Sequence, residues 1–495
     1  MCCNCCSVRQ QKIWVFTLGT LFLVIGIVLI AAWPHISNTI INSMLPLSPG
    51  SYTFNKWEVT PIPLYMNFYL YNWTNPDQAY NPDVRPHFEE VGPYYFRDTK
   101  IKQDLKWHDE NNTVTFFGLR NWYFDAEKSN GSLDDMITTP HFPTMAASKF
   151  SLSFNKIIRK VVNFGLNREG GALTMTHSAI DWLFHGFYEH LLDFVERLHS
   201  PLLPIYVNKF AWFYGRNNSK EAEGSFTIHT GKDDLSQLGD LKLWNGSAHT
   251  GFWKGDCGKI NGSTGDIWAP GKSWDDTISI FISDVSRFIN LFPQEVINYR
   301  GVEGWVYTST DQTFDSGYVA PDTKCFCTEG RKCPKNGVID FSPVAKRAPV
   351  FVSHPHFYMT DPLYLENTTG LSPIAEKHGI KIIMEPKLGA PLYVNGQVLI
   401  SLFIERNDDI DFLRNLAYDF YAPLFVVQIQ ADITDDILKT VKFALSISST
   451  GQYIGIGFTT LGVLMLATGI WVTKTHKWRN DSPDVETVKT PAPET

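Results

Sequence analysis

Apolar residues follow three patterns along the chain. Ile13–Trp33 is an uncharged run of 21 residues and Tyr453–Val472 a second of 20. At about 1.5 Å per residue, each predicts a helix of roughly 30 Å, enough to cross a bilayer core. Between them the runs shorten and fill with β-branched and aromatic residues. YMNFYLYNW (65–73), NTVTFFGL (112–119), GSFTIHTG (224–231) and PLYVNGQVLISLFIE (391–405) predict strands of a mainly antiparallel sheet. From Ser148 to about Leu198 the period becomes helical. In FNKIIRKVVNF, Ile157, Ile158, Val161 and Val162 form one stripe, while Lys156, Arg159 and Lys160, at i, i+3 and i+4, share the opposite face. A last helix is predicted over 434–445, with Thr434 as N-cap and Ile437, Leu438, Val441 and Leu445 facing inward.

The flanking charges orient these elements. Arg9 and Lys12 precede the first run, and Lys474, Lys477 and Arg479 follow the second, so both ends are expected in the cytosol. The first run exceeds a signal-peptide core and lacks an A-x-A-like site before Trp33. The expected organisation is a cytosolic tail 1–12, a span 13–33, an extracellular ectodomain 34–452, a span 453–472 and a cytosolic tail 473–495. No linker, repeat or low-complexity run divides the ectodomain.

Composition narrows the function. The chain has 43 Lys+Arg and 51 Asp+Glu; the tails hold six and four of these, leaving the ectodomain at net charge −10. That excludes a nucleic-acid binder, and with screening over roughly 8 Å only a local patch could select an anionic ligand. Seven sequons, at Asn72, Asn111, Asn130, Asn217, Asn245, Asn261 and Asn367, lie between the spans and fit a secretory-side domain; an eighth, Asn480, lies in the cytosolic tail. Cysteine use divides in the same way. Cys2, Cys3, Cys5 and Cys6 crowd the cytosolic end beside a span, where S-palmitoylation is the expected chemistry. Cys257, Cys325, Cys327 and Cys333 lie outside, where disulfides form. Joining Cys325 to Cys327 across one residue is geometrically strained, which leaves two pairings open: 257–325 with 327–333, or 257–327 with 325–333.

GxSxG, HExxH and the P-loop are absent. In DWLFHGFYEHLL, Asp181, His185 and Glu189 recur at helical spacing and read as the solvated face of a helix; His354 and His356 in SHPHF lack an evident third metal ligand. No catalytic residue, metal or cofactor is expected. A two-span ligand-gated channel is the rival architecture, but the spans offer only small hydroxyls, Thr17, Thr20, Thr459, Thr460 and Thr468, to line a pore. Gly451 and Gly455 form a GxxxG at the edge of the second span, suited either to packing against another span or to flexible spacing.

The stretches FYLYNWTNP, RPHFEEVGPYYFRD, NWYFDAEKSNGSLDDMITT, GDCGKINGSTGD, CFC, GVIDFSP and APVFVSHPHF, in that order, resemble the class B scavenger receptors, the family of fatty acid translocase (cluster-of-differentiation thirty-six). The CCNCC start, NWTNP and RNWYFDAEKSNGSLDDM are most similar to its croquemort-like branch. The resemblance implies an α+β fold: two transmembrane helices flanking an ectodomain with an irregular antiparallel β-barrel core, a membrane-distal helical bundle and an apolar tunnel towards the bilayer. It implies Cys257–Cys325 and Cys327–Cys333. Members commonly carry a third bridge, whose two positions fall here at Ser286 and Val344. The implied function is a plasma-membrane scavenger receptor, cycling through endosomes, for lipids, fatty acids, lipoproteins or phosphatidylserine-bearing surfaces such as apoptotic cells. A lysosomal role, known for one branch, lacks its acidic dileucine signal in the tail. The family's best-known lysine in the basic helix aligns near Phe164, so Lys156, Arg159 and Lys160 are the candidate ligand-binding residues as a patch.

Overall fold

The computed structural model describes residues 7–197, 209–327, 333–345 and 348–478. The chain forms two compact units, Met1–Met44 with Lys439–Thr495 and Leu45–Leu438.

The first unit consists of two long helices. Val8–Met44 and Asp435–Lys474 are both long and apolar enough to cross a membrane. Each extends well beyond the uncharged run that predicted it, and the expected helix 434–445 is continuous with the second span. Small residues let the helices meet. A Cβ on Gly455 would lie 3.0 Å from the Gly26 carbonyl oxygen and from the Ile30 nitrogen, so this crossing requires glycine. Gly451 sits against the Trp33 ring, and the GxxxG is therefore a packing surface. Trp33 Nε1 donates to the Ile447 carbonyl at 2.8 Å, and the Phe22 and Phe458 rings stack at 5.5 Å.

The second unit is built on a 13-stranded sheet in which every pairing is antiparallel. Eleven strands run from Ile278–Ile282 through Arg287–Tyr299, Val302–Thr308, Lys381–Glu385, Ala390–Ile404, Phe420–Asp432, Leu64–Trp73, Phe88–His108, Thr113–Phe124 and Ser225–His229 to Leu241–Trp244; off this path, Val350–Ser353 pairs with both Ala390–Ile404 and Val338–Asp340. Gly262 and Ser263 join the two edges. Leu241 N donates to the Gly262 carbonyl at 2.7 Å, while Ser263 exchanges 2.9 Å bonds with Ser279 and Phe281. Edge groups that would otherwise stay unpaired are thereby satisfied, and the sheet becomes a nearly closed barrel.

Two short strand pairs bracket the helical part. Met136–Pro140 pairs with Thr174–Ser178, and the helices Phe142–Ser151 and Lys156–Arg168 fill the chain between them. Phe187–Tyr188 pairs with Lys209–Phe210 around the helix His190–Arg197. Asp181, His185 and Glu189 do not share a helix. Asp181–His185 is a π-helical turn with Trp182 and Leu183 buried, and Gly186, at φ 71°, ends it. Glu189 is consequently buried, 3.8 Å from His141, and not part of a solvated face.

Candidate functional site

Asn155 starts the helix Lys156–Arg168, its Oδ1 accepting from Ile157 N and Ile158 N at 3.1 Å. Which face turns inward is decided by an acidic loop. Arg159 pairs with Asp409 at 3.3 Å and donates to the carbonyls of Phe154 and Leu152 at 2.9 and 3.2 Å. Asn163 and Asn167 both donate to Asp411 Oδ2, at 3.0 and 2.8 Å, and these bonds lower the Asp411 pKa. Leu166, on the same side, is buried. Arg159 therefore faces the protein and does not share the free basic face expected from its spacing.

The rotation has a second consequence. Ile157, Val161 and Phe164 are 75, 64 and 68% exposed, and Ile158 is exposed as well. Three of the four residues of the stripe, Ile157, Ile158 and Val161, thus face solvent, flanked by exposed Lys156 and Lys160, while Val162 packs half-buried on the core. Among the described residues neither lysine is in an ion pair. Two cations and four apolar side chains form one outward surface, the composition of an interfacial helix.

A different charged group lies within the sheet, and the sequence offered no sign of it. Strand register sets Lys100 opposite Arg120 and Asp98 opposite Trp122. Asp266 lies 3.3 Å from Lys100 and 3.5 Å from Lys102, while Arg120 bonds Asp98 through Nε at 2.9 Å and Glu223 at 2.9 Å. These three cations and three anions are almost wholly removed from water. Burial would raise the Asp266 carboxyl, but Lys100 and Lys102 hold it at about 2. Burial draws Lys102 down to about 8 despite Asp266, and its ammonium also lies 5.2 Å from the Trp57 ring centroid.

A third cluster gathers histidines. His354 and His356 do not lie on a strand: His354 precedes the turn Pro355–Phe357, in which His356 has φ 52°. His356 Nε2 lies 2.8 Å from Glu90 Oε2, and its ring stacks on His378 at 4.4 Å. Among the described residues no group of three ligands is arranged to hold a metal ion.

Cys257 is bonded to Cys325 and Cys327 to Cys333, one of the two pairings left open by spacing and the one implied by resemblance. At the positions of the third family bridge, Ser286 is buried and its carbonyl accepts from Trp253 Nε1 at 3.1 Å, while Val344 packs on the same apolar core. Packing occupies what a bridge would otherwise hold. Asn111, Asn130, Asn217, Asn245 and Asn261 are exposed, and Asn72 and Asn367 partly so. Cys2, Cys3, Cys5, Cys6 and Asn480 lie outside the described residues.

A sequence profile of the CD36 family matches residues 17–473. Protein peste of Drosophila melanogaster is 34% identical over 446 residues, covering 90% of this chain and 79% of peste. Scavenger receptor class B member 1 of Mus musculus is 29% identical over 78% of this chain and 74% of its own length. Sensory neuron membrane protein 1 of Plutella xylostella is 28% identical over 83% and 81%.

Proposed function

The chain belongs to the CD36 family, and on that premise we propose that it is a cell-surface scavenger receptor that captures anionic lipid surfaces through the exposed face of the helix Lys156–Arg168. The observation that carries this reading is the juxtaposition of Lys156 and Lys160, which have no acid partner among the described residues, with exposed Ile157, Val161 and Phe164. Cations at an anionic lipid surface contribute about 1 kcal/mol each, and apolar side chains add burial in the headgroup region. Phosphatidylserine-bearing membranes and lipoprotein surfaces offer both features.

The proposal places both termini in the cytosol and the sequons outside, on the strength of the flanking Lys and Arg residues. Cys2, Cys3, Cys5 and Cys6 are then S-acylation sites, which hydroxylamine-sensitive labelling of wild type and an all-Ser variant would reveal. Onward passage of captured lipid to the bilayer is included on family grounds alone.

The test uses full-length receptor in nanodiscs and vesicles of phosphatidylcholine with or without phosphatidylserine. Wild type should bind the anionic vesicles preferentially, and binding should fall with added salt. Lys156→Glu with Lys160→Glu should weaken binding at least tenfold while leaving surface delivery normal. Equal binding by a folded double variant would remove this face as the capture surface.

A further inference from the structure

Between Thr369 and Ile380 the chain crosses the surface of the ectodomain in a segment whose residues 372–377 are all exposed. Main-chain bonds fix both ends. Thr369 N donates to the Pro86 carbonyl at 2.9 Å and Phe88 N to the Thr369 carbonyl at 3.0 Å. Ile380 N donates to Ser309 Oγ at 3.0 Å, and that hydroxyl also meets His354 Nε2 at 2.9 Å. Inside these limits the fastening changes character. Ser372 N donates to His356 Nδ1 at 3.1 Å, and within the segment Ile374 N donates at 3.0 Å to Nδ1 of its own His378, the buried ring by which the segment stacks on His356.

A ring nitrogen that accepts a main-chain N–H cannot carry a proton of its own. Both imidazoles are therefore neutral in this arrangement, and His356 has its proton on Nε2, directed at the Glu90 carboxylate. Protonating Nδ1 of either ring would set two N–H groups against each other. Protonating both rings would also stack like charges at 4.4 Å, with an interplanar angle of 14°. Among the described residues, Gln397 also holds the segment by donating to the Lys377 and Gly379 carbonyls, and Leu371 packs against the core; neither titrates.

We propose that Leu371–Gly379 is a proton-released latch, held down at neutral pH by His356 and His378 and freed at the acidity of an endosome. The groups facing the ring pair are Glu90 on the strand Phe88–His108, Tyr71 on Leu64–Trp73, His354 before the turn, and Lys377 on the segment itself. Glu90 is the only anion among them. It accepts from Tyr71 at 3.0 Å, and burial, which would raise its pKa, is outweighed by His356. Burial first, then His356, pulls His378 down to about 4. Because this folded value lies below the ordinary one of about 6.5, its contribution to the closed state is complete above about 6.5 and declines as pH falls towards about 4. Proton linkage to His378 alone makes opening about tenfold more populated at pH 5.5 than at 7.5.

Hydrogen exchange read by mass spectrometry, on the full-length receptor in nanodiscs, tests this. After correction for intrinsic rates, protection of the Ser372 and Ile374 amides should fall about tenfold or more from pH 7.5 to 5.5, while the strand Phe420–Asp432 stays protected. His356→Asn with His378→Asn keeps an acceptor near each Nδ1 position but cannot titrate, and its protection should be independent of pH. Unchanged wild-type protection at pH 5.5 would overturn the latch, and that series requires no variant. An undiminished pH response in the double Asn protein would overturn it too.

Discussion

Lys100, Lys102 and Arg120 in the sheet and Lys156 and Lys160 on the helix are similar groups in opposite solvents. Each sheet cation lies within 3.5 Å of a carboxylate or closer, and the six charges balance. The helix pair has no acid partner among the described residues and stands in water. A buried charge without a partner costs several kcal/mol, whereas an exposed one costs almost nothing and keeps its field available. Pairing is thus a condition of folding at the first site, and its absence at the second leaves those charges available for the capture proposed above. Lys102 marks the limit of the first arrangement, since a shared carboxylate does not fully offset its desolvation.

The largest effect expected from this contrast is at Asp266. Asp266→Ala leaves Lys100 and Lys102 buried with no acid between them and should cost about 3–5 kcal/mol. It would be seen as a lower Tm and loss of surface delivery, and adding Lys102→Met should recover part of both. Normal delivery and an unchanged Tm for Asp266→Ala would show that the network does not hold the sheet. Acid separates this site from the histidine segment. The Asp266 value is depressed, so its contribution is complete above about 4 and is lost only as pH falls towards about 2. At pH 5.5 the network should be intact while the segment opens.

Local patterns and long-range ones were unequally visible in the sequence. The β-branched and aromatic runs YMNFYLYNW and PLYVNGQVLISLFIE predict the strands Leu64–Trp73 and Ala390–Ile404 nearly to their ends, because strand-forming composition is carried by adjacent residues. The spans are equally plain, being set by bilayer thickness. The rotation of Lys156–Arg168 is not, because it is fixed by Asp409 and Asp411, some 250 positions away. Spacing grouped Arg159 with Lys156 and Lys160 correctly as a helical neighbour and could not say which way it faced. The buried network is harder still. Asp98, Lys100, Lys102, Arg120, Glu223 and Asp266 each resemble ordinary surface charge; the sheet register gathers the four strand residues, and chain far along in sequence adds Glu223 and Asp266. Glu90 likewise meets His356 from 266 positions away, which no local pattern records.

Arg159 sits between the two extremes and tests whether they are distinct. Its side chain is about one-third exposed and bound by Asp409 and two carbonyls, so Arg159→Ala should cost about 1–2 kcal/mol and loosen the helix. Asp409→Ala gives the sharper reading. If Arg159 were a free ligand contact, deleting its acid would strengthen binding of anionic vesicles. As an anchor, Arg159 depends on Asp409, and Asp409→Ala should weaken binding several-fold along with a lower Tm. Stronger binding by this variant would move Arg159 back into the capture surface.

The smallest effect concerns the apolar half of that surface. Phe164 is 68% exposed, at the position near which the resemblance sets the family's lysine. Burial of a whole phenylalanine side chain is worth about 1.5–3 kcal/mol, and a ring resting in a headgroup layer recovers only part of this. Phe164→Ser should therefore weaken binding of anionic vesicles about three- to tenfold and, as a surface change, alter stability by less than about 0.5 kcal/mol. The informative quantity is the salt dependence. A hydrophobic contact adds nothing to the electrostatic slope, so Phe164→Ser should lower binding at every ionic strength by the same factor, whereas Lys160→Ala should flatten the slope. Phe164→Lys should steepen it. If Phe164→Ser flattened the slope as Lys160→Ala does, the ring would be acting by positioning the lysines, and the apolar half of the surface would have no independent part in capture.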